Sequence, residues 1–186
     1  KESKQLLHKA FDLYLIHSPN VDVPLKETMK AMDYLVEKGI TRFIGVSNFS
    51  VKEMQEAQKY SKNKIVVNQI QYSLISRNKC TYSDCVNMEL EIIPYCQRNN
   101  IIIMADRPLH KGLLLENKYP LLDKLSKKYN KTKAQIALNW LISKKNIITM
   151  PMSTNIEHLT ENLGAIGWKL EKEDITLLDN TVFEKE

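Results

Sequence analysis

The sequence predicts a parallel α/β fold. Three observations carry that reading. Short apolar runs rich in Ile and Val recur along the 186 residues, at 11–16, 42–46, 65–67 with Ile70 close behind, 101–105 and 147–150. None of these runs alternates with polar residues, so each reads as a strand buried on both faces. The segments between them carry apolar residues at helical spacing, and strands alternating with helices imply right-handed βαβ crossovers.

The helices follow in order. Pro24 opens the first, whose stripe is Leu25, Met29, Met32, Leu35 and Val36, and Gly39 stands where it should stop. Ser50 followed by Glu53 is a capping-box pattern, with Val51, Met54 and Ala57 as the apolar stripe behind it. A third helix is expected over 89–98, ended by Asn99-Asn100. A fourth starts near Thr132, with a capping pattern to Gln135 and a core face of Ala134, Ala137, Leu138 and Leu141. A last pair is expected at 156–163 and 174–178. The polar stretches 72–88 and 111–119 read as loops. No low-complexity tract or Pro/Gly/Ser linker interrupts the chain, so one domain over 1–186 is expected.

Composition narrows the function classes. The chain is 43% hydrophobic and 26% charged, which excludes disorder over most of its length. No apolar run approaches the roughly 18 residues a membrane helix needs, and no signal-like segment opens the chain. The opening residue, Lys1, suggests a chain that begins inside a longer product. The formal charge is +5, but only four of the 27 basic residues are Arg, and they are interleaved with acids. That pattern argues against a nucleic-acid partner and suits an anionic small molecule such as a phosphorylated cofactor. Five glycines leave no room for a Gly-rich phosphate loop. Three cysteines, an odd number without framework spacing, indicate a reducing, cytoplasmic setting. Cys80 and Cys85 have no histidine nearby, and a zinc site needs about four ligands, so no metal is expected.

Chemistry in parallel α/β folds gathers beyond the carboxyl ends of the strands. Those ends present His17-Ser18-Pro19, Ser47-Asn48, Asn68-Gln69, Asp106-Arg107 and, after Pro151, Met152-Ser153-Thr154. Amides and hydroxyls outnumber charges, which fits orienting a polar ligand better than gripping a metal. Each residue also has a plainer explanation. His17 fits a satisfied strand-end histidine, Ser47-Asn48 a turn and helix cap, and Asp106-Arg107 an internal ion pair. Gln69 on an apolar strand needs partners for its amide.

Several runs resemble signatures of one family, the aldo-keto reductases. Asp12-Leu13-Tyr14-Leu15-Ile16-His17-Ser18-Pro19 resembles its fourth-strand motif, and Ile44-Gly45-Val46-Ser47-Asn48-Phe49 its fifth. Asn68-Gln69-Ile70-Gln71-Tyr72 resembles the sixth. Pro108-Leu109 followed by Lys111-Gly112 resembles the loop after strand seven. Pro151 and Ser153, then Glu157-His158-Leu159 and Glu161-Asn162, resemble the eighth strand and its cofactor helix.

The resemblance implies a (β/α)8 barrel that uses NADPH, or less often NADH, to reduce aldehydes and ketones. Such a barrel takes about 250 residues, so the chain is expected to supply strands four to eight as a partial barrel, incomplete at its amino end. The family tetrad is a Tyr acid, a Lys that lowers its pKa, an Asp paired to that Lys, and a His that orients the carbonyl. Only His17 matches it here. By motif, Ser47, Asn48 and Gln69 would bond the nicotinamide amide, Pro108 and Leu109 would belong to the cofactor loop, and Ser153 would approach the ribose 2′-phosphate. Glu161 and Asn162 would meet the adenine, and His158 stands where an Arg is common. Two further departures are Asp106 in place of a stacking aromatic and Met152 in place of a Lys. The alternative is a non-catalytic cofactor-sensing or interaction module. Five strands alone would leave open edges, so self-association or a complementing segment is expected if 186 residues are the whole chain.

Overall fold

The structure, a computed structural model, describes residues 10–78, 87–116 and 119–183. Cys80 and Cys85 lie outside these residues. The chain divides into two compact units, one of residues up to 70 together with 89–103, the other of 71–88 and 104 onward.

The first unit alternates β1 (Phe11–Ile16), α1 (Leu25–Glu37), β2 (Thr41–Ser47), α2 (Val51–Tyr60) and β3 (Ile65–Gln71), and then adds α3 (Ile93–Arg98). Its strands are parallel and lie in chain order. Phe11 stands opposite Thr41 and Ile16 opposite Val46, while Ser47 stands opposite Gln69 after a register shift between Ile44 and Val46. Gly45 sits where the strands crowd. A Cβ there would lie 2.5 Å from Leu15 Cδ2 and 2.9 Å from the Val67 carbonyl oxygen. The expected capping box forms: the Ser50 hydroxyl accepts from the Glu53 N–H at 3.3 Å, and the Glu53 carboxylate accepts from the Ser50 N–H at 2.7 Å. Met29 of α1, Met54 of α2, and Ile44, Val46, Ile65 and Ile70 of β2 and β3 are buried, each side chain contributing about 1.5–3 kcal/mol of transfer free energy.

The helix expected over 89–98 is different in kind. A π-helical turn, Met88–Ile92, runs into α3. Pro94 lacks an N–H and its ring crowds the carbonyl four residues back, so the wider turn ahead of it accommodates what a regular helix could not.

The second unit holds the end of β4 (Ile102–Asp106), α4 (Leu113–Glu116), α5 (Pro120–Tyr129), α6 (Lys133–Ile142), β5 (Ile147–Thr149), α7 (Ile156–Leu163) and α8 (Lys172–Asn180). β4 neighbours β5, and the Met150 N–H donates to the Ala105 carbonyl at 3.2 Å. The stretch expected as a loop at 111–119 instead contains a 3-10 turn, His110–Gly112, and α4. α5, unforeseen, starts on Pro120, buries Leu122 and Leu125, and ends at Asn130 with φ of 50°. α6 has the capping pair expected at Thr132 and Gln135 and is buried on most of its faces. Its Trp140 packs on Tyr72 with ring centroids 5.5 Å apart and donates to Asp179 at 2.8 Å. α8 is tied down at both ends. Lys128 Nζ reaches Glu171 and Asp174 at its start, and the Arg77 guanidinium donates to the carbonyls of Leu178, Asp179 and Thr181 at its close.

Candidate functional site

A cavity of about 690 Å³ opens in the second unit, beyond the carboxyl ends of β4 and β5. Ligand pockets run from about 300 to 1,000 Å³. Three segments build it: the loop 106–112 after β4, the turn 150–153 after β5, and α7. Pro108 and Leu109 give an apolar wall, and Ser153, His158, Glu161 and Asn162 give polar groups. All six residues that the sequence placed in this half of a cofactor site therefore line one cavity.

The loop at its rim is conformationally unusual. Arg107, His110 and Lys111 have φ of 48°, 49° and 58°, and Gly112 has 93°. A side chain in this left-handed region costs roughly 1–2 kcal/mol, and glycine is exempt. The strain is held by two tight turns, His110 N–H to the Arg107 carbonyl at 2.8 Å and Gly112 N–H to the Leu109 carbonyl at 3.0 Å. Asp106 and Arg107 form the ion pair their adjacency suggested, at 3.3 Å.

On the far side of the cavity the turn into α7 consumes its own polar groups. The Ser153 hydroxyl accepts from the Asn155 N–H at 3.0 Å, and the Asn155 carboxamide caps the Glu157 N–H at 2.8 Å. Gln135 donates to the Glu161 carbonyl at 3.0 Å and fixes the helix against α6. Met152, where a lysine is common in the family, is 92% exposed.

The four remaining site residues lie in the first unit, at the ends of β1, β2 and β3. Asn48 has φ of 61°, and its side-chain amide donates to the His17 carbonyl at 3.2 Å and to the Ser47 hydroxyl at 3.1 Å. Its N–H donates to the Gln69 carbonyl at 2.8 Å. Ser47 is buried, Gln69 half-buried and His17 exposed. The Gln69 carboxamide, expected to need partners, makes no side-chain hydrogen bond among the described residues. Its half-burial keeps that group within reach of solvent or a ligand.

Arg107, a strand-end candidate, lines the cavity too, and Leu115, Ala134 and Met150 line it without having been expected there. Leu115 and Ala134 carry no polar signal, and Arg107 read equally well as half of an internal pair. No group of three or more His, Cys, Asp or Glu among the described residues could hold a metal. Burial pushes the Cys96 thiol up to about 12, and its Sγ lies 3.9 Å from Met54 Sδ, so it is a packing group and not a nucleophile. Among the described residues no helix is long and apolar enough to cross a membrane.

In α/β folds, small-molecule sites lie beyond the carboxyl ends of the strands, where this cavity opens. The chain belongs to the aldo/keto reductase family, whose model matches residues 1–182. It is 32% identical over 179 residues to a glyoxal reductase of Bacillus subtilis, covering 96% of this chain and 59% of the relative. The solved thermostable aldo-keto reductase Tm1743, in complex with the inhibitor epalrestat, superposes with a TM-score of 0.84 at 34% identity, over 95% of this chain and 62% of that one. An aldo/keto reductase from Klebsiella pneumoniae, solved with NADP and acetate, gives 0.81 at 29% identity, over 95% and 61%. The chain spans 55–59% of the length of the curated relatives it matches.

Proposed function

We propose that this chain carries the cofactor half of an NAD(P)H-dependent carbonyl reductase. The observation that supports it best is the convergence of Pro108, Leu109, Ser153, His158, Glu161 and Asn162 on one cavity. The donor set fits a phosphorylated adenine nucleotide. Arg107 and Lys111 offer cations to phosphate oxygens, and Asn162 and Glu161 offer hydrogen-bonding groups to a base. Ser153 stands for the ribose 2′ position. In the first unit the Ser47 hydroxyl and the Asn48 and Gln69 amides suit a carboxamide, and His17 suits the oxygen of a substrate carbonyl. A bound nicotinamide supplies the hydride. The chain's own residues bind and orient, because of the family tetrad His17 alone finds a match.

We read the chain as strands four to eight of the family's barrel. Five strands among the described residues, the first three paired in parallel, and the 55–59% share of its relatives support this. Exposed apolar groups on the first and last strands in the order, Tyr14 on β1 and Ile148 on β5, support contact with a further segment or a second copy. NADPH is the first-choice cofactor. Met152 and His158 remove two cations from the 2′-phosphate position, so NADH is a close competitor. The pairing of Asp106 with Arg107, where the family commonly stacks an aromatic ring, favours a second reading as a cofactor-sensing module without turnover.

Calorimetric titration with NADPH and NADH tests the first claim, and NADPH oxidation with glyoxal separates the two readings. The expected result is saturable binding with NADPH at least as tight as NADH. Failure of both cofactors to bind at millimolar concentration would overturn the proposal.

A further inference from the structure

The strained loop has a brace that no motif identifies. Ser76, in the segment after β3, places its hydroxyl oxygen 3.1 Å from His110 Nδ1. Ser76 is buried, and its oxygen already accepts from the Gln71 side-chain amide at 3.0 Å. Its main chain is fixed as well: the Ser76 N–H donates to the Ser73 hydroxyl and the Ser73 N–H to the Ser76 carbonyl, both at 3.0 Å. Ser76 is therefore a rigid anchor. With Gln71 on one oxygen lone pair, the hydroxyl keeps its hydrogen and a second lone pair, so it can bond His110 Nδ1 in either tautomer. His110 itself sits at φ of 49°, between the left-handed Arg107 and Lys111.

Left-handed non-glycine residues persist where their surroundings over-determine them, and they cluster at ligand clamps. Two backbone turns and the Asp106–Arg107 pair hold the loop from within. The Ser76 contact fixes it from outside. We propose that the Gln71–Ser76–His110 chain is a positioning element that holds 107–112 in its ligand-ready conformation and so sets the affinity of the cavity for phosphate-bearing nucleotides. The ligand part of this rests on the proposed cofactor reading, and the loop part does not.

The geometry of His110 allows a clean dissection. Asparagine tolerates the left-handed region, and its Oδ1 falls where His Nδ1 lies, so His110→Asn keeps both backbone and bond. His110→Gly keeps the backbone and loses the bond. In the unliganded chain, hydrogen exchange of the Gly112 amide should quicken about three- to tenfold in His110→Gly and stay near wild type in His110→Asn. The dissociation constant for NADP+ should rise by a similar factor in His110→Gly and be restored in His110→Asn. Ser76→Ala should reproduce the glycine variant, and combining the two should add nothing further, as for one shared contact. Unchanged Gly112 exchange and NADP+ affinity in His110→Gly would overturn the inference, as would additive effects in the double variant. If wild type binds no nucleotide, the cofactor reading fails, while the exchange measurement still decides whether the brace exists.

Discussion

Two turns in this molecule differ in backbone conformation and in what their side chains line. In the first unit, the turn 61–65 enters β3 from its amino end. Four donors converge there on the buried Asp33 carboxylate: the Ser61 hydroxyl at 2.6 Å, the Lys62 N–H at 2.9 Å, and the Asn63 N–H and amide at 3.2 and 2.8 Å. Gln58 completes the closure by bonding the carbonyls of Ser61 and Asn63 and the Ile65 N–H. No residue in that turn has positive φ. In the second unit, the loop 107–112 leaves β4 from its carboxyl end with four positive-φ residues, and it presents Arg107 and Lys111 to a cavity. A turn that spends its hydrogen bonds internally stabilises the fold. A turn that holds strain and lines a concave surface with charged groups is the kind the proposed function needs. In β/α barrels the amino-terminal face serves stability and the carboxyl-terminal face serves chemistry, and these turns divide the same way.

Substitutions at the two turns should therefore separate stability from binding. Asp33→Ala strands four donors and should lower unfolding free energy by about 2–4 kcal/mol, read from the denaturant midpoint, with NADP+ affinity unchanged while folded. Burial pushes the Asp33 carboxyl up, but the bonds from Ser61, Lys62 and Asn63 outweigh it and hold the group below its usual 3.8. The stability it supplies is thus present above pH 3.8 and lost as pH falls through the lower folded value, and Asp33→Asn should flatten that acid limb. Gly45→Ala drives a Cβ into Leu15 and Val67 and should cost about 1–3 kcal/mol by the same assay, again without a direct effect on the cavity. Lys111→Ala should do the reverse, weakening NADP+ about tenfold by calorimetry with a midpoint near wild type. The smallest effect expected is from Met152→Lys, which adds a cation where the proposed site would hold the 2′-phosphate and should shift preference toward NADP+ over NAD+ by about threefold.

The strand frame was readable because apolar runs mark strands, although burial on both faces does not hold for β1, where exposed Asp12 and Tyr14 alternate with half-buried residues. Residues 11–16 and the helix 156–163 fall where pattern placed them. Two capping boxes were equally plain, since their chemistry is local in sequence. α5 was hidden by its charge: Lys124, Lys127 and Lys128 surround a stripe of only Leu121, Leu122 and Leu125. The 3-10 turn at His110 was only faintly marked: Gly112 and His110 are types that adopt positive φ, but Arg107 and Lys111 are not. Strand-end residues were legible as candidates from topology, and their family motifs assigned them roles. The Ser76–His110 contact spans 34 residues between two irregular segments, where no periodicity operates.

The first unit also has a basic recess, a cavity of about 310 Å³ lined by Lys62, Lys64 and Tyr95. It provides the sharpest control. The amide spectrum of the isotopically labelled chain, titrated with NADP+, would locate the nucleotide residue by residue. The expected result is shifts concentrated at 107–112 and 153–162, saturating together, with the signals of Lys62 and Lys64 unmoved. Shifts centred on Lys62 and Lys64, or no saturable shift at the cavity beyond β4 and β5, would contradict the assignment of that cavity as the nucleotide site.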